Sequence, residues 1–270
     1  MTPDEVEQSH GANRAITSLR SASQVRPFEQ ATKEALQVVE DLLSLGTHIM
    51  DDPEDQVLPN LALDQWLSQA AVVRDRMARD AKRCLGSEAK RWLRLAFEDL
   101  FERNAEWRMI LEWRNASQHR LPSLHLTTLH VDAEAGTEAW TMDLNAIDRD
   151  IERGGKWPDF VIDRLEEEPD LREVMVAGWK TVANLYAGFL LAHEEAIMDS
   201  VKHMLHLLGE AQAQHPGGRV VANVSALRLN AEDDHFNWGT WLPIRYPSIE
   251  AMVVDIEMAR SRLSSVTADG

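Results

Sequence analysis

A single cysteine, Cys84, leaves the chain unable to form an intramolecular disulfide or a C-x-x-C redox or zinc pair. Long apolar runs are absent as well. The most apolar stretch, VANLYAGFLLA at 182–192, is eleven residues long and is followed directly by His193, Glu194 and Glu195. A bilayer crossing needs roughly 20 residues, so no membrane span is expected. The opening MTPDEVEQSHG lacks a basic stretch followed by an apolar one, and a cytoplasmic location is expected on that ground. No P-loop, G-x-G-x-x-G, G-x-S-x-G or H-E-x-x-H occurs, which removes the usual signatures of nucleotide cofactors, nucleophile elbows and zincin sites. No cofactor, no metal and no DNA-specific motif are expected.

Positive charge is scarce overall. With 45 acidic and 28 basic residues the chain carries −17, which argues against a general electrostatic grip on phosphate backbones. The average conceals an asymmetry. Between Arg74 and Arg120, twelve basic residues stand against eight acidic ones, so this stretch is +4 and the remainder −21. Solvated helix faces and a localised anion-binding region are both compatible with that pattern.

What the chain does have is a core. At 270 residues and 44% hydrophobic it is expected to form one large domain. Residues 1–27 are polar and read as a loose N-terminal segment. Residues 28–214 read as a helical bundle carrying a β-hairpin at 124–144, and 215–270 as C-terminal strands and a helix packed on the same domain. Within the bundle, helical periodicity predicts a helix from Phe28 to Leu45, a loop at DDPED (51–55), and a second helix capped by Asp64 and running to Cys84. Gly86 suits that helix's end, and Ser87 suits the start of a third helix reaching His119. LHLTTLHV (124–131) and TEAWTMDL (137–144) read as a hairpin, and 171–214 as one very long helix or two. VVANVSALRL (220–229) and FNWGTWLPI (236–244) read as strands, and Ser248 as the cap of a last helix from Ile249 to Leu263. The expected class is mainly α with a minor antiparallel β element.

The third helix is the informative one. At 100° per residue, Leu93, Phe97, Leu100, Asn104 and Trp107 fall within about 40° of Leu111, on one buried face. Gln118, Asn115 and Arg114 fall within about 60° and His119 at about 80°, so the stripe turns polar before Pro122 stops the helix. Arg114 and His119 have the spacing R-x4-H, which 22 Arg and 10 His produce about once by chance, and Arg120 to His125 repeats it across Pro122. Asn directly after the Arg, in RNASQH, makes the pattern much rarer.

R-N-x-x-x-H near the end of a long helix, continued by QHRLP, resembles the HEPN superfamily (higher eukaryotes and prokaryotes nucleotide-binding), over roughly residues 30–210. The resemblance implies a helical bundle that forms a homodimer with the two motifs facing each other. It implies a metal-independent endoribonuclease of toxin or phage-defence type, or a catalytically inactive module that binds RNA, a nucleotide or a protein. The family's Arg and His fall on Arg114 and His119, and its polar residue on Asn115. Gln118, Arg120 and Arg108 flank them as candidate substrate-binding residues. Single-stranded RNA or a nucleotide, and an antitoxin or regulatory protein, are the implied partners. Where antitoxins of the family modify a Tyr two residues after the His, this chain has Leu121, so that mode of control is not expected.

The chemistry suits these side chains. Attack by an RNA 2′-hydroxyl needs a base for its proton, an acid for the departing 5′-oxygen and positive charge on the phosphorane-like transition state. An imidazole can serve either proton role and a guanidinium is a permanent forked donor. One imidazole cannot be base and acid at once, so two copies related by a twofold axis are the physical reason for a dimer. Asn115, four residues before His119, is placed to hold the ring in one tautomer. Against this stands a plainer account, in which Arg114, His119 and Arg120 complement C-terminal carbonyls or pair with Glu112. Of the other candidates, Asp199, His203 and His206 read as a solvated helix face, and Trp66, Trp92, Trp107 and Trp113 as packing residues.

Overall fold

The computed structural model describes residues 3–22, 25–45, 57–119, 127–132, 136–142, 157–214, 223–224, 227–229, 236–238, 242–243 and 246–268. Among these residues the helices are α1 (Pro3–Ala22), α2 (Val25–Leu45), α3 (Val57–Leu85), α4 (Ser87–Arg103), α5 (Ala105–His119), α6 (Asp159–Glu166), α7 (Leu171–Ala192), α8 (Glu194–Gln214) and α9 (Tyr246–Ala268). The strands are β1 (Thr127–Asp132), β2 (Thr137–Met142), β3 (Asn223–Val224), β4 (Leu227–Leu229), β5 (Phe236–Trp238) and β6 (Leu242–Pro243). The class is mainly α with a minor antiparallel β element, as the periodicities imply. The acidic loop 51–55, residues 120–126 and 143–156 lie outside the described residues.

The chain divides into two compact units. One comprises Met1–Ser23, Arg76–Leu93 and Asn184–Gly270, the other Gln24–Asp75 and Arg94–Ala183. α3, α4 and α7 each supply residues to both units.

In the second of these units α2 buries a regular stripe of Phe28, Ala31, Ala35, Val39 and Leu42, the spacing of one helical face. Aromatic rings of α3, α4 and α5 cluster beside it. Trp107 of α5 meets Phe28 edge-on at 6.3 Å and Phe97 of α4 at 5.9 Å, and Trp66 of α3 meets Trp113 of α5 at 5.7 Å. The indole N–H of Trp66 donates to the Thr32 hydroxyl at 3.2 Å, which in turn donates to the Phe28 carbonyl at 2.8 Å, so the buried polar edge of that indole is satisfied. Arg164 of α6 reaches Glu106 of α5 at 3.2 Å. Asp170 starts α7 by accepting from the Arg172 backbone N–H at 2.8 Å. The β1–β2 hairpin pairs Leu129 with Trp140 and Val131 with Glu138, and Gly136 takes φ +64 at its turn, a conformation suited to glycine.

The expected single helix 87–119 is two. Asn104 interrupts it, and its side-chain oxygen accepts from the Trp107 backbone N–H at 2.7 Å, so α5 begins with its own cap. Asparagine competes in this way for backbone donors wherever a helix can restart. The projection that treated 87–119 as one cylinder therefore misassigns the far side of α5. Met109 and Trp113, which it turns away from Leu111, are fully buried along with Trp107 and Ile110. Burial on this helix therefore extends well beyond one face, leaving Glu106, Arg108 and Glu112 half-buried.

In the other unit the polar N-terminal segment is not loose. It forms α1, which packs on α8 and α9 through Ser9, Ala12, Ala15, Ile16 and Leu19. Its buried side chains are mostly small, which is why the segment lacks an apolar signal. Opposite them lie Ile197, Val201 and Met204 of α8 and Ile249, Met252 and Ile256 of α9. The stretch 171–214 is two helices, with His193 between them, and α9 starts two residues before the expected cap, Ser248. Asp64 likewise lies inside α3 and not at its start. The C-terminal strands form two short antiparallel pairs, β3 with β6 and β4 with β5. α7 is long and apolar enough to cross a membrane by length and composition, and its Val174, Met175, Val182, Phe189 and Leu190 are buried.

Gly178 of α7 lies against α5, where an added methyl group would stand 2.2 Å from Ile110 Cδ1. A Gly178→Ala change should lower stability by about 1–3 kcal/mol through overpacking, although alanine favours helix by about 1 kcal/mol. Adding Ile110→Val, which removes that Cδ1, should recover most of the loss. Urea denaturation midpoints of the two variants check this, and a stabilised Gly178→Ala chain would contradict it.

Candidate functional site

The R-N-x-x-x-H residues lie where α5 leaves its core. Up to Trp113 the helix is largely enclosed, with a half-buried pair, Arg108 and Glu112, whose charges meet at 2.9 Å. Arg108 also lies over the Phe101 ring at 3.5 Å from its centroid, a cation–π contact across the Asn104 break. These contacts pair one turn of α5 with the end of α4, while the Arg108 Nε, like that of Arg114, is enclosed without an acceptor among the described residues.

Arg114 follows immediately and is half-buried. Its Nε is enclosed yet meets no acceptor among the described residues, and its Nη1 is 3.4 Å from the Asn115 side-chain oxygen, a weak contact at that length. Its backbone carbonyl accepts from the Ser117 hydroxyl at 3.1 Å. Asn115 and Gln118 are exposed. The Asn115 amide nitrogen points back to Glu112 at 3.5 Å, so this amide is engaged one turn toward the core. His119 is the last residue of α5. The side chain of His119 and all of Arg120 lie outside the described residues.

A buried guanidinium nitrogen without an acceptor has a definite chemical meaning. It has lost water on one edge and still has a donor to give, so an oxyanion that reaches it gains a charge-assisted hydrogen bond without a further desolvation cost on that edge. Arg114 and the exposed amides of Asn115 and Gln118 make a donor-rich helix end.

The histidines set aside as a metal site go separate ways. His203 Nε2 lies 2.9 Å from the Ser9 hydroxyl, which also donates to the Glu5 carbonyl at 2.7 Å. The ring nitrogen is then the donor, and the link ties α8 to α1. His206 faces Glu210 at 3.5 Å and Asp199 faces Lys202 at 3.2 Å. Among the described residues no group of three or more His, Cys, Asp or Glu side chains could hold a metal ion. Of the two E-x-x-H spacings in the chain, Glu7 and His10 lie in α1, and Glu232 and His235 lie outside the described residues. Trp66, Trp107 and Trp113 are fully buried and unavailable for base stacking. Trp92 packs on Phe189 and His193. The Cys84 thiol donates to the Arg14 carbonyl at 3.4 Å, and burial pushes its pKa up to about 11, which leaves it a poor nucleophile.

One residue that sequence reasoning passed over is His193, at the junction of α7 and α8. Its ring lies 4.8 Å from Phe189 and 6.3 Å from Trp92, and Nε2 is buried without a partner among the described residues. Burial lowers its pKa below the ordinary 6.5. The unfolded chain therefore takes up this proton first, so stability present above about pH 6.5 declines as pH falls below it. Urea midpoints at pH 7.5 and 5.5 should differ less in His193→Phe than in the parent chain, and equal differences would contradict the assignment.

The chain has no significant match among protein-family models, curated proteins or solved structures.

Proposed function

We propose that the chain binds single-stranded RNA and cleaves it without a metal ion, as a homodimer of toxin or phage-defence type. The observation that carries this reading is the half-buried Arg114, whose enclosed Nε lacks an acceptor among the described residues at the polar end of α5. Such a guanidinium has a donor to offer a phosphate oxygen. The R-N-x-x-x-H pattern supplies the rest. Arg114 holds the scissile phosphate, and the His119 of one copy takes the 2′-hydroxyl proton. The His119 of the other protonates the departing 5′-oxygen, so the products are a 2′,3′-cyclic phosphate and a 5′-hydroxyl. Asn115, Gln118 and Arg120 line the approach.

A second reading is favoured by one contact. Asn115 is turned toward Glu112 and Arg114, an arrangement that also suits a catalytically inactive dimer binding RNA, a nucleotide or a protein partner through the same helix end. The two readings separate in one assay. In EDTA, the parent chain should cut single-stranded RNA to cyclic-phosphate ends, and His119→Ala should lower the rate by about 10²–10⁴-fold with the dimer unchanged in size-exclusion chromatography. RNA bound but never cut by the parent chain would leave the second reading, and undiminished cleavage by His119→Ala would remove the first.

A further inference from the structure

The acidic chain concentrates exposed positive charge at one place in its first-described unit. α3 ends and α4 begins around one residue, Gly86, whose φ of +92 makes the corner possible. Arg76, Arg79, Lys82 and Arg83 on the α3 side and Lys90 and Arg91 on the α4 side are all exposed. None of the six forms an ion pair within 4 Å among the described residues, whereas Arg74 and Arg94, at the margins, pair with Asp75 and Glu98. Two acidic residues, Asp80 and Glu88, interrupt the stretch 76–93. Asp80 is half-buried, and burial raises its pKa despite the nearby charges of Arg79, Arg83 and Arg76.

Six exposed cations against two carboxylates leave a local excess of positive charge in a chain of −17. Two features of the corner select among partners. First, Arg76, Arg79 and Arg83 fall within about 60° on α3 and span about 10 Å along it, and Lys90 and Arg91 are exposed in the first turn and a half of α4. That is a row suited to a linear polyanion and not a pocket. Second, no large apolar residue within 76–93 is exposed; Leu95, one turn beyond Arg91, is the nearest exposed one among the described residues. Residues 76–93 themselves therefore offer neither an apolar wedge for a bilayer nor the apolar anchor of a protein interface. Guanidinium forks match phosphate oxygens.

We propose that the α3–α4 corner is a docking surface for the phosphate backbone of single-stranded RNA, separate from Arg114. This rests on the reading that RNA is the partner but not on cleavage. Its effect is to raise affinity without sequence preference and to make it steeply dependent on salt.

The test is fluorescence anisotropy of the full chain with a labelled, 2′-O-methylated 20-nucleotide strand, which cannot be cut by a 2′-hydroxyl mechanism. The triple variant Arg79→Gln, Arg83→Gln, Lys90→Gln should bind at least about tenfold more weakly at 0.1 M salt. The slope of log K against log salt should become shallower by about 2, since each single-strand phosphate contact contributes about 0.7. Arg79→Lys with Arg83→Lys should keep the parent slope, and circular dichroism should show all variants folded. A parent chain that does not bind the strand, or a triple variant with the parent slope, overturns the proposal. So does binding confined to phosphatidylserine vesicles, or a salt-sensitive self-association lost in the triple variant without RNA binding. Cleavage is scored separately, in EDTA, so a corner that binds RNA on a chain that never cuts it would defeat the catalytic reading alone.

Discussion

The packing of α5 is the constraint on which the rest of its unit depends. Trp107 and Trp113 sit two turns apart on this helix, each closed against an aromatic ring of another helix, with Met109, Ile110 and Leu111 between them. A fully buried tryptophan contributes about 3–5 kcal/mol over alanine, so neither the rotation nor the axial position of α5 is free to change. Whatever follows Trp113 inherits that rigidity. Arg114 therefore emerges at a fixed point and angle, with its Nε still inside. A long, flexible side chain has been given a restricted range, which is the condition for an effective phosphate contact.

Charge is organised on the same principle of local commitment. Arg108, Arg164 and Arg172 are each paired, with Glu112, Glu106 and Asp170 respectively, and hold helices or their ends in place. Arg114 and the exposed row from Arg76 to Arg91 are not so paired among the described residues. Among the described residues, Arg114 and this row gather guanidinium groups that no carboxylate pairs within 4 Å. Elsewhere the chain's net negative charge repels a polyanion.

Much of this was legible from residue order, and the failures have physical causes. The α2 stripe, the Gly86 corner and the hairpin with Trp140 inside follow from periodicity and turn chemistry, whereas the pattern of 171–214 leaves one helix or two open. Asn104 misled because an asparagine at a helical spacing looks like part of a stripe, while its side chain can restart the helix by capping Trp107. Treating 87–119 as one cylinder then hid how far burial on α5 extends beyond one face. α1 was missed because Ala12 and Ala15 bury little area and leave no hydrophobic pattern. At the site, Arg114 was identifiable from the motif. The engagement of Asn115 with Glu112 was not, because side-chain direction at an exposed helix end is decided by neighbours rather than by spacing. His193 carried no signal, since its burial depends on Trp92, some hundred residues away in the chain.

The central claim is that the enclosed Nε–H of Arg114 is a donor held ready for a phosphate oxygen. The side-chain Nε–H resonance of Arg114, assigned by its loss in Arg114→Lys, tests it most directly during titration with a 2′-O-methylated RNA strand. The account expects that resonance to shift and its hydrogen exchange to slow as the strand binds. A strand that binds while the resonance keeps its position and exchange rate would contradict it.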